Sequence, residues 1–311
     1  MNNNTIVTIC DAGCLWGVFL LICSMRKNGM DEPVIAGVFN MTSEAEKILS
    51  GPGGVTVFPL DDVRRSPACC KPLVMLQART DYITWADGDG FFTGNCSERL
   101  IPLRDDEIHI RTRSCRENHR VFRHCPGFRH GPNIPKRILN AWRKDVCDLS
   151  FPRIGRSCSA SFLSVHRSAV PFLSRWQEQM ESVFPAGDAE TVDRSLKYYH
   201  RLDESVLNSL LAFSSLAPRP SGEYRLDKNP EEMFIHFVGS PKPWENWSYR
   251  NFKYFDSYTS AADYACRQGF RLPGGELPFS LDRKNRDRCA LMRSRVSLSC
   301  KIRNGIKRFF R

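Results

Sequence analysis

The chain has 311 residues, 41% of them hydrophobic and 25% charged, with 20 Phe and 13 Cys. That length and mix exclude a peptide hormone, a disulfide-stapled miniprotein, a collagen, a coiled coil and a disordered chain, and leave room for a large α/β domain. The formal net charge of +11 has one address: from Arg283 to Arg311 eleven Lys or Arg face a single acid, Asp287, so the rest of the chain is close to neutral and demands no general polyanion-binding surface.

Thr5–Cys10 reads as a strand, Asp11–Gly13 as a loop and Leu15–Lys27 as a buried helix. The apolar run Ala12–Met25 is 14 residues long, short of the ~18 residues that span a bilayer. Its positive charges, Arg26 and Lys27, follow the apolar core instead of preceding it as in a signal peptide. A buried helix is therefore preferred to a signal anchor. Pro33–Asn40 and Val55–Leu60 read as strands, Ser43–Leu49 and Lys71–Arg79 as helices, and Asp81–Ala86 as a fourth strand. This alternation predicts a mostly parallel central sheet flanked by helices, with ligands at the carboxyl ends of its strands.

The fourth strand runs into Asp87-Gly88-Asp89. Acidic residues around a glycine are common turn chemistry; the same two carboxylates, at the end of a hydrophobic strand, can also converge on one hard divalent cation. Further on, Leu103–Asp148 holds four of the seven His (His109, His119, His124, His130) with Cys115, Cys125 and Cys147. Thiolate and imidazole are zinc ligands, but the spacing matches no common finger and the surroundings are cationic. A surface insertion on an acceptor side, whose arginines suit an anionic group, is the preferred reading. Asn133–Asp145 and Val170–Val183 have apolar residues at helical spacing and read as core-packing helices. Phe234–Trp244 (FIHFVGSPKPW) reads as an apolar strand with one histidine and then a turn. His236 is either a core histidine or a ligand to the same cation, with Gly239 letting the backbone approach a phosphate and Lys242 supplying a point charge.

At YITWADGDGFF and IHFVGSPKPW the sequence resembles the glycogenin-like family of retaining glycosyltransferases, family eight, which includes bacterial lipopolysaccharide galactosyl- and glucosyltransferases. LDESVLNSL at 202–210 is similar to a third family segment, with Asp203 and Asn208 at matching positions and Glu204 where the family usually has Gln. Ser157–His166 stands where the family has a sugar-lining strand, with Ser159 and Ser161 in place of its Asn and Gly. The resemblance implies a GT-A type nucleotide-diphospho-sugar transferase fold over residues 1–260, a segment 101–150 on the acceptor side and a C-terminal extension from 261. It implies a UDP-sugar donor and Mn²⁺ or Mg²⁺, with Asp87, Asp89 and His236 as metal ligands. The nucleotide sugar would be bound by Asp11, Ala12, Gly13, Lys71, Asp87, Gly88, Gly239 and Lys242. Asp203 and Glu204 are the expected catalytic pair, and a hexose would pass to a glycan, a lipopolysaccharide or another acceptor. Glu204, Ser159 and Ser161 also suit a protein that keeps the fold without turnover.

In the basic tail 283–311, Leu291, Leu298, Ile302, Ile306 and Phe309 fall near one helical face. An anionic membrane surface, a solvated disordered tail and a nucleic-acid-binding extension are the readings, in that order. The odd, irregularly spaced cysteines point to a reducing compartment, so the expected location is cytoplasmic and peripheral to the membrane.

Overall fold

The computed structural model describes residues 3–39, 41–60, 67–123, 125, 131, 133–185, 198–221 and 233–293. The first half alternates as expected: β1 (Asn4–Cys10), α1 (Leu15–Lys27), β2 (Val34–Phe39), α2 (Ser43–Ser50), β3 (Val55–Leu60), α3 (Lys71–Met75) and β4 (Tyr82–Ala86). There follow β5 (Gly90–Phe92), α4 (Ser97–Leu100), β6 (Glu107–Thr112), α5 (Cys115–Phe122), α6 (Lys136–Val146), β7 (Cys158–His166), α7 (Val170–Val183), α8 (Asp203–Phe213), β8 (Arg219–Pro220), β9 (Phe234–His236) and α9 (Phe255–Arg267). Seven strands form one sheet in the order β3-β2-β1-β4-β7-β6-β8, and β5 and β9 form a two-stranded ladder. β7 is antiparallel to both of its neighbours, β4 and β6; the other pairs in the large sheet are parallel.

Successive side chains of a strand point to opposite faces, and β1 feeds two cores in this way. Val7 joins the layer of Trp85, Ile110, Leu163 and the helices α3, α6, α7 and α8. Ile6 joins the layer under α1 and α9, with Phe91, Phe237, Trp247 and Tyr258. The apolar run of the first helix is accounted for there: Gly17 to Met25 are all buried in α1, which packs on β5 and α9.

Three expectations need correction. The helix foreseen over 71–79 ends at Met75, because Gln77 and Ala78 bond back to Val74 and Met75 in a tightened last turn. The 101–150 segment is no surface insertion: β6 pairs with β7, and Ile108, Ile110, Ile138 and Trp142 are core residues. The boundary at 260 falls inside α9, whose Ala261, Ala262 and Ala265 are buried with Leu281 and Cys289. The first part of the basic stretch is docked on that helix, with Arg283 3.3 Å from Asp263, Arg286 3.4 Å from Asp256, and Arg293 over the rings of Phe252 and Tyr249. Residues 294–311, and with them most of the expected amphipathic tail, lie outside the described residues, as do His124 and His130 of the Cys/His run. Among the described residues no helix is long and apolar enough to cross a membrane.

One buried amide ties the two halves together. The Cys158 N–H donates to Asn208 Oδ1 (2.6 Å), and Asn208 Nδ2 donates to Cys158 O (2.9 Å) and Glu204 O (2.7 Å). Asn208 thus completes the backbone bonding of β7 and fixes the start of α8 against it. Removing it leaves the buried Cys158 N–H unpaired, while Cys158 O keeps its bond from Arg113 (2.7 Å), so Asn208→Ala is expected to lower the unfolding free energy by about 1–3 kcal/mol. Chemical denaturation checks this, and a loss below about 1 kcal/mol contradicts the role assigned to the amide.

Candidate functional site

The site forms where the sheet's carboxyl edge meets the β5–β9 ladder. Asp87 follows β4 directly; its N–H bonds to Ser161 O of β7 (2.9 Å), and its carbonyl accepts from Gly90 N (3.1 Å) to close the Asp-Gly-Asp turn. The turn then enters β5, and the antiparallel register places Gly90 opposite His236 of β9. The Phe237 N–H donates to Asp89 O (3.0 Å) and locks the second motif onto the first. Gly90 and His236, 146 positions apart in the chain, become neighbours through a ladder only three residues long on each strand.

Gly88 is required for space. Its φ is not in the left-handed region, but a Cβ there would lie 2.4 Å from Val18 Cγ2 and 3.0 Å from Ile9 O. Gly17 serves the same packing from below, since a Cβ on it would come within 2.5 Å of Gly88 O and 2.6 Å of the Trp244 ring. Gly239, in contrast, has φ +84° and open space around it, so the turn before Lys242 uses its conformational freedom.

Asp87, Asp89 and His236 each offer one ligand atom, all within 4.8 Å of one another. His236 Nε2 stands 3.0 Å from Asp89 Oδ1 and 3.6 Å from Asp87 Oδ2, and Lys242 Nζ stands 2.5 Å from Asp89 Oδ2 and 2.8 Å from Phe237 O. Burial disfavours charge on the imidazole, yet its hydrogen bond to Asp89 and the charges of Asp89 and Asp87 together raise its pKa above the ordinary histidine value. Burial likewise works against the Asp89 carboxylate and is outweighed by His236 and Lys242, which hold its pKa well below the usual range. The point between the two carboxylates therefore attracts positive charge. Two carboxylate oxygens and one imidazole nitrogen with room for further ligands fit a divalent ion of the Mg²⁺ or Mn²⁺ kind.

Behind the trio lies a buried ion triad. Lys71, 6% exposed, puts Nζ 2.8 Å from Asp87 Oδ1, 2.9 Å from Asp203 Oδ2 and 3.0 Å from Ala160 O. Trp85 Nε1 also donates to Asp87 Oδ1, at 2.8 Å. Burial pushes the Lys71 ammonium down, and the Asp203 and Asp87 carboxylates more than offset it. Burial pushes Asp203 up to about 6 in spite of Lys71. Glu204 faces the other way: its Oε2 accepts from Arg113 (2.6 Å) and the Ala160 N–H (3.3 Å). Ser159 and Ser161 have their hydroxyls 3.0 Å apart.

Lys71, Asp87, His236, Asp203, Glu204 and both serines line one cleft of about 560 Å³. Asp89 and Lys242 join it through His236. Asp11, Ala12 and Gly13 stand at the end of β1 on the same edge, with Asp11 capping a short 3₁₀ turn by accepting from Cys14 N at 2.8 Å. They are not part of the cleft lining. Asn208, matched to the third segment, is spent on Cys158. Two contributors were not singled out in the sequence. Trp85 has a usable signal, since a residue two before Asp87 on a strand shares its face; Arg113 has none, because it arrives through the β6–β7 pairing.

No protein-family model matches the sequence, and no curated protein matches it. Solved structures do. The fold is similar to that of the bifunctional glycosyltransferase WbbM in its apo form, at TM-score 0.54 and 12% identity, over 84% of this chain and 49% of that one; the chain thus spans about half the length of WbbM. Two further matches have TM-scores of 0.49 and identities of 12%: the glycosyltransferase GlyE of Streptococcus pneumoniae TIGR4, over 87% of this chain and 64% of that one, and the galactosyltransferase LgtC in complex with donor and acceptor sugar analogues, over 83% and 95%.

Removing the cation of the triad should make stability depend on pH. In Lys71→Met the Asp203 carboxyl loses its partner, so its folded pKa rises beyond about 6 while its unfolded value stays ordinary. The folded state then binds more protons across that window, and stability falls as pH rises through it. The expected loss is about 3–5 kcal/mol near neutrality, smaller at about pH 5 than at about pH 8. Denaturation curves at both values check this; a loss that does not change with pH contradicts it.

Proposed function

We propose that the protein is a metal-dependent retaining glycosyltransferase that moves a hexose from a UDP-sugar to a glycan or related acceptor. The observation that carries this reading is the convergence of Asp87, Asp89 and His236 within 4.8 Å at the sheet's carboxyl edge, on a fold shared with a glycosyltransferase. The same three residues and Lys242 are those for which the sequence resembles the glycogenin-like family.

In the reaction proposed, the bond between the sugar's anomeric carbon and the diphosphate oxygen breaks, the acceptor's hydroxyl oxygen bonds to that carbon, and its proton passes to the departing diphosphate oxygen. A bound divalent cation, held by Asp87, Asp89 and His236, would supply positive charge to the diphosphate. Lys242 adds a second charge on the same side by exchanging Asp89 for a phosphate oxygen, an interaction that strengthens as the leaving group becomes more negative. Asp203, from the Lys71 side of the cleft, and Glu204, from the Arg113 side, would flank the developing positive charge on the sugar. Lys71 positions Asp203 and Asp87 together, and Arg113 positions Glu204. Asp11–Gly13 at the neighbouring strand end would take the uridine. The stretch beyond Arg293 continues the basic run and is proposed to rest on an anionic membrane surface.

UDP is expected to raise the thermal unfolding midpoint only when Mn²⁺ is present, with ~2.7 kcal/mol of stabilisation at a hundredfold excess over Kd. Asp89→Ala should abolish the shift. A shift by UDP that ignores the metal, or no shift at all, overturns the donor site. Binding without any release of UDP from UDP-hexoses would leave a nucleotide-sugar-binding protein that does not turn over. For the tail, vesicles of anionic lipid should sediment the full chain and not one ending at Arg293; equal sedimentation removes the membrane role.

A further inference from the structure

The cleft's charges do not cancel. Its walls carry Lys71, balanced by Asp87 and Asp203, Arg113, balanced by Glu204, and Arg111, paired with Glu117. Beyond these, Arg120, Arg201, Arg250 and Lys253 also line it, and all four are exposed. Arg120, Arg201 and Arg250 have no carboxylate partner among the described residues. Arg120, Arg201 and Arg250 stand in solvent, and gathering like charges there costs free energy. They also come from separate elements. Arg120 lies on α5 and Arg201 just before α8, and the two segments are held side by side where His200 Nε2 meets Val121 O at 3.0 Å. Arg250 and Lys253 come from the turn that follows the Lys242 loop, next to Val238 and Tyr254 of the lining.

Taking the transferase reading as given, we propose that the acceptor carries an anionic group, a phosphate or a carboxylate, that docks on Arg120 and Arg201 at the mouth of the cleft. The planar guanidinium fork matches both groups and does not discriminate for a neutral sugar. A cleft with one sign of unbalanced charge and low-dielectric walls also raises the local concentration of such a ligand before contact. Arg250 and Lys253 lie on the side of His236 and add to that field. The pair on α5 and before α8 lies instead on the Glu204 side, where Arg113, just after β6, holds that carboxylate, which is the wall an acceptor would meet.

The test is a titration of hexose 6-phosphate, hexuronic acid and the parent hexose into the protein saturated with UDP and Mn²⁺, by calorimetry. One or both of the charged sugars should bind at least about tenfold more tightly than the neutral one, and whichever does identifies the group as phosphate or carboxylate. Binding should weaken with added salt. Arg120→Gln and Arg201→Gln should each weaken it about tenfold or more while the thermal shift by UDP and Mn²⁺ stays at the wild-type value. Equal binding of the neutral sugar, or retained affinity in the double variant, overturns the proposal and leaves the donor site standing. If UDP with Mn²⁺ does not bind the wild type, the transferase reading fails, and with it the idea that an acceptor docks here.

Discussion

The buried contact of one ammonium with two carboxylates holds the candidate site together. Lys71 comes from the helix before β4, Asp87 from the end of β4 and Asp203 from the start of α8. Three charges would each be costly to bury alone; together they are affordable only if all three elements meet at one point. Lys71 also bonds to Ala160 O on β7. Asp87 thus presents one oxygen to the interior and the other to His236, and its orientation is set from behind. The two roles of the carboxylate depend on the same bond.

A second constraint comes from the reversal of β7. Strands β1 to β4 are a parallel, helix-covered half in which the carboxyl ends collect on one edge. β7 enters antiparallel to β4, so its early residues, Ser159 to Ser161, arrive beside Asp87. A parallel strand would have sent them to the far edge. The same reversal brings Arg111 of β6 and Arg113 just after it into the cleft, and explains why a segment that reads as an insertion contributes a wall.

The cleft has two electrostatic faces. Between Asp87 and Asp89 the charge is negative and draws His236 and Lys242. Toward α5 and the segment before α8 the excess is positive, because the arginines there outnumber the acids that pair with them. A reaction that separates a negatively charged leaving group from a cationic sugar benefits from such an ordered field, since its dipoles are already oriented when charge develops.

The sequence by itself determined the alternation of strands and helices through β4, the buried nature of α1, and the Asp-Gly-Asp and His-Phe-Val-Gly segments. Each of these is written in a short window, where hydrophobic period, length and turn residues decide the outcome. It also determined that the acidic pair stands at a strand end, and the structure brings His236 to it. What only the tertiary structure decided depends on pairing between distant segments. Lys71 is an ion-pair partner of Asp203 because α8 packs on β7; Asn208 is consumed by Cys158 for the same reason. Gly88 is needed for the room that Val18 and Ile9 leave it, which no local turn rule contains. Arg120 and Arg201 become neighbours only when α5 and the start of α8 meet, and the 283–293 stretch binds its arginines to acids on α9. Charge composition counts such residues, but Coulomb energy depends on distance, and distance is set by the fold.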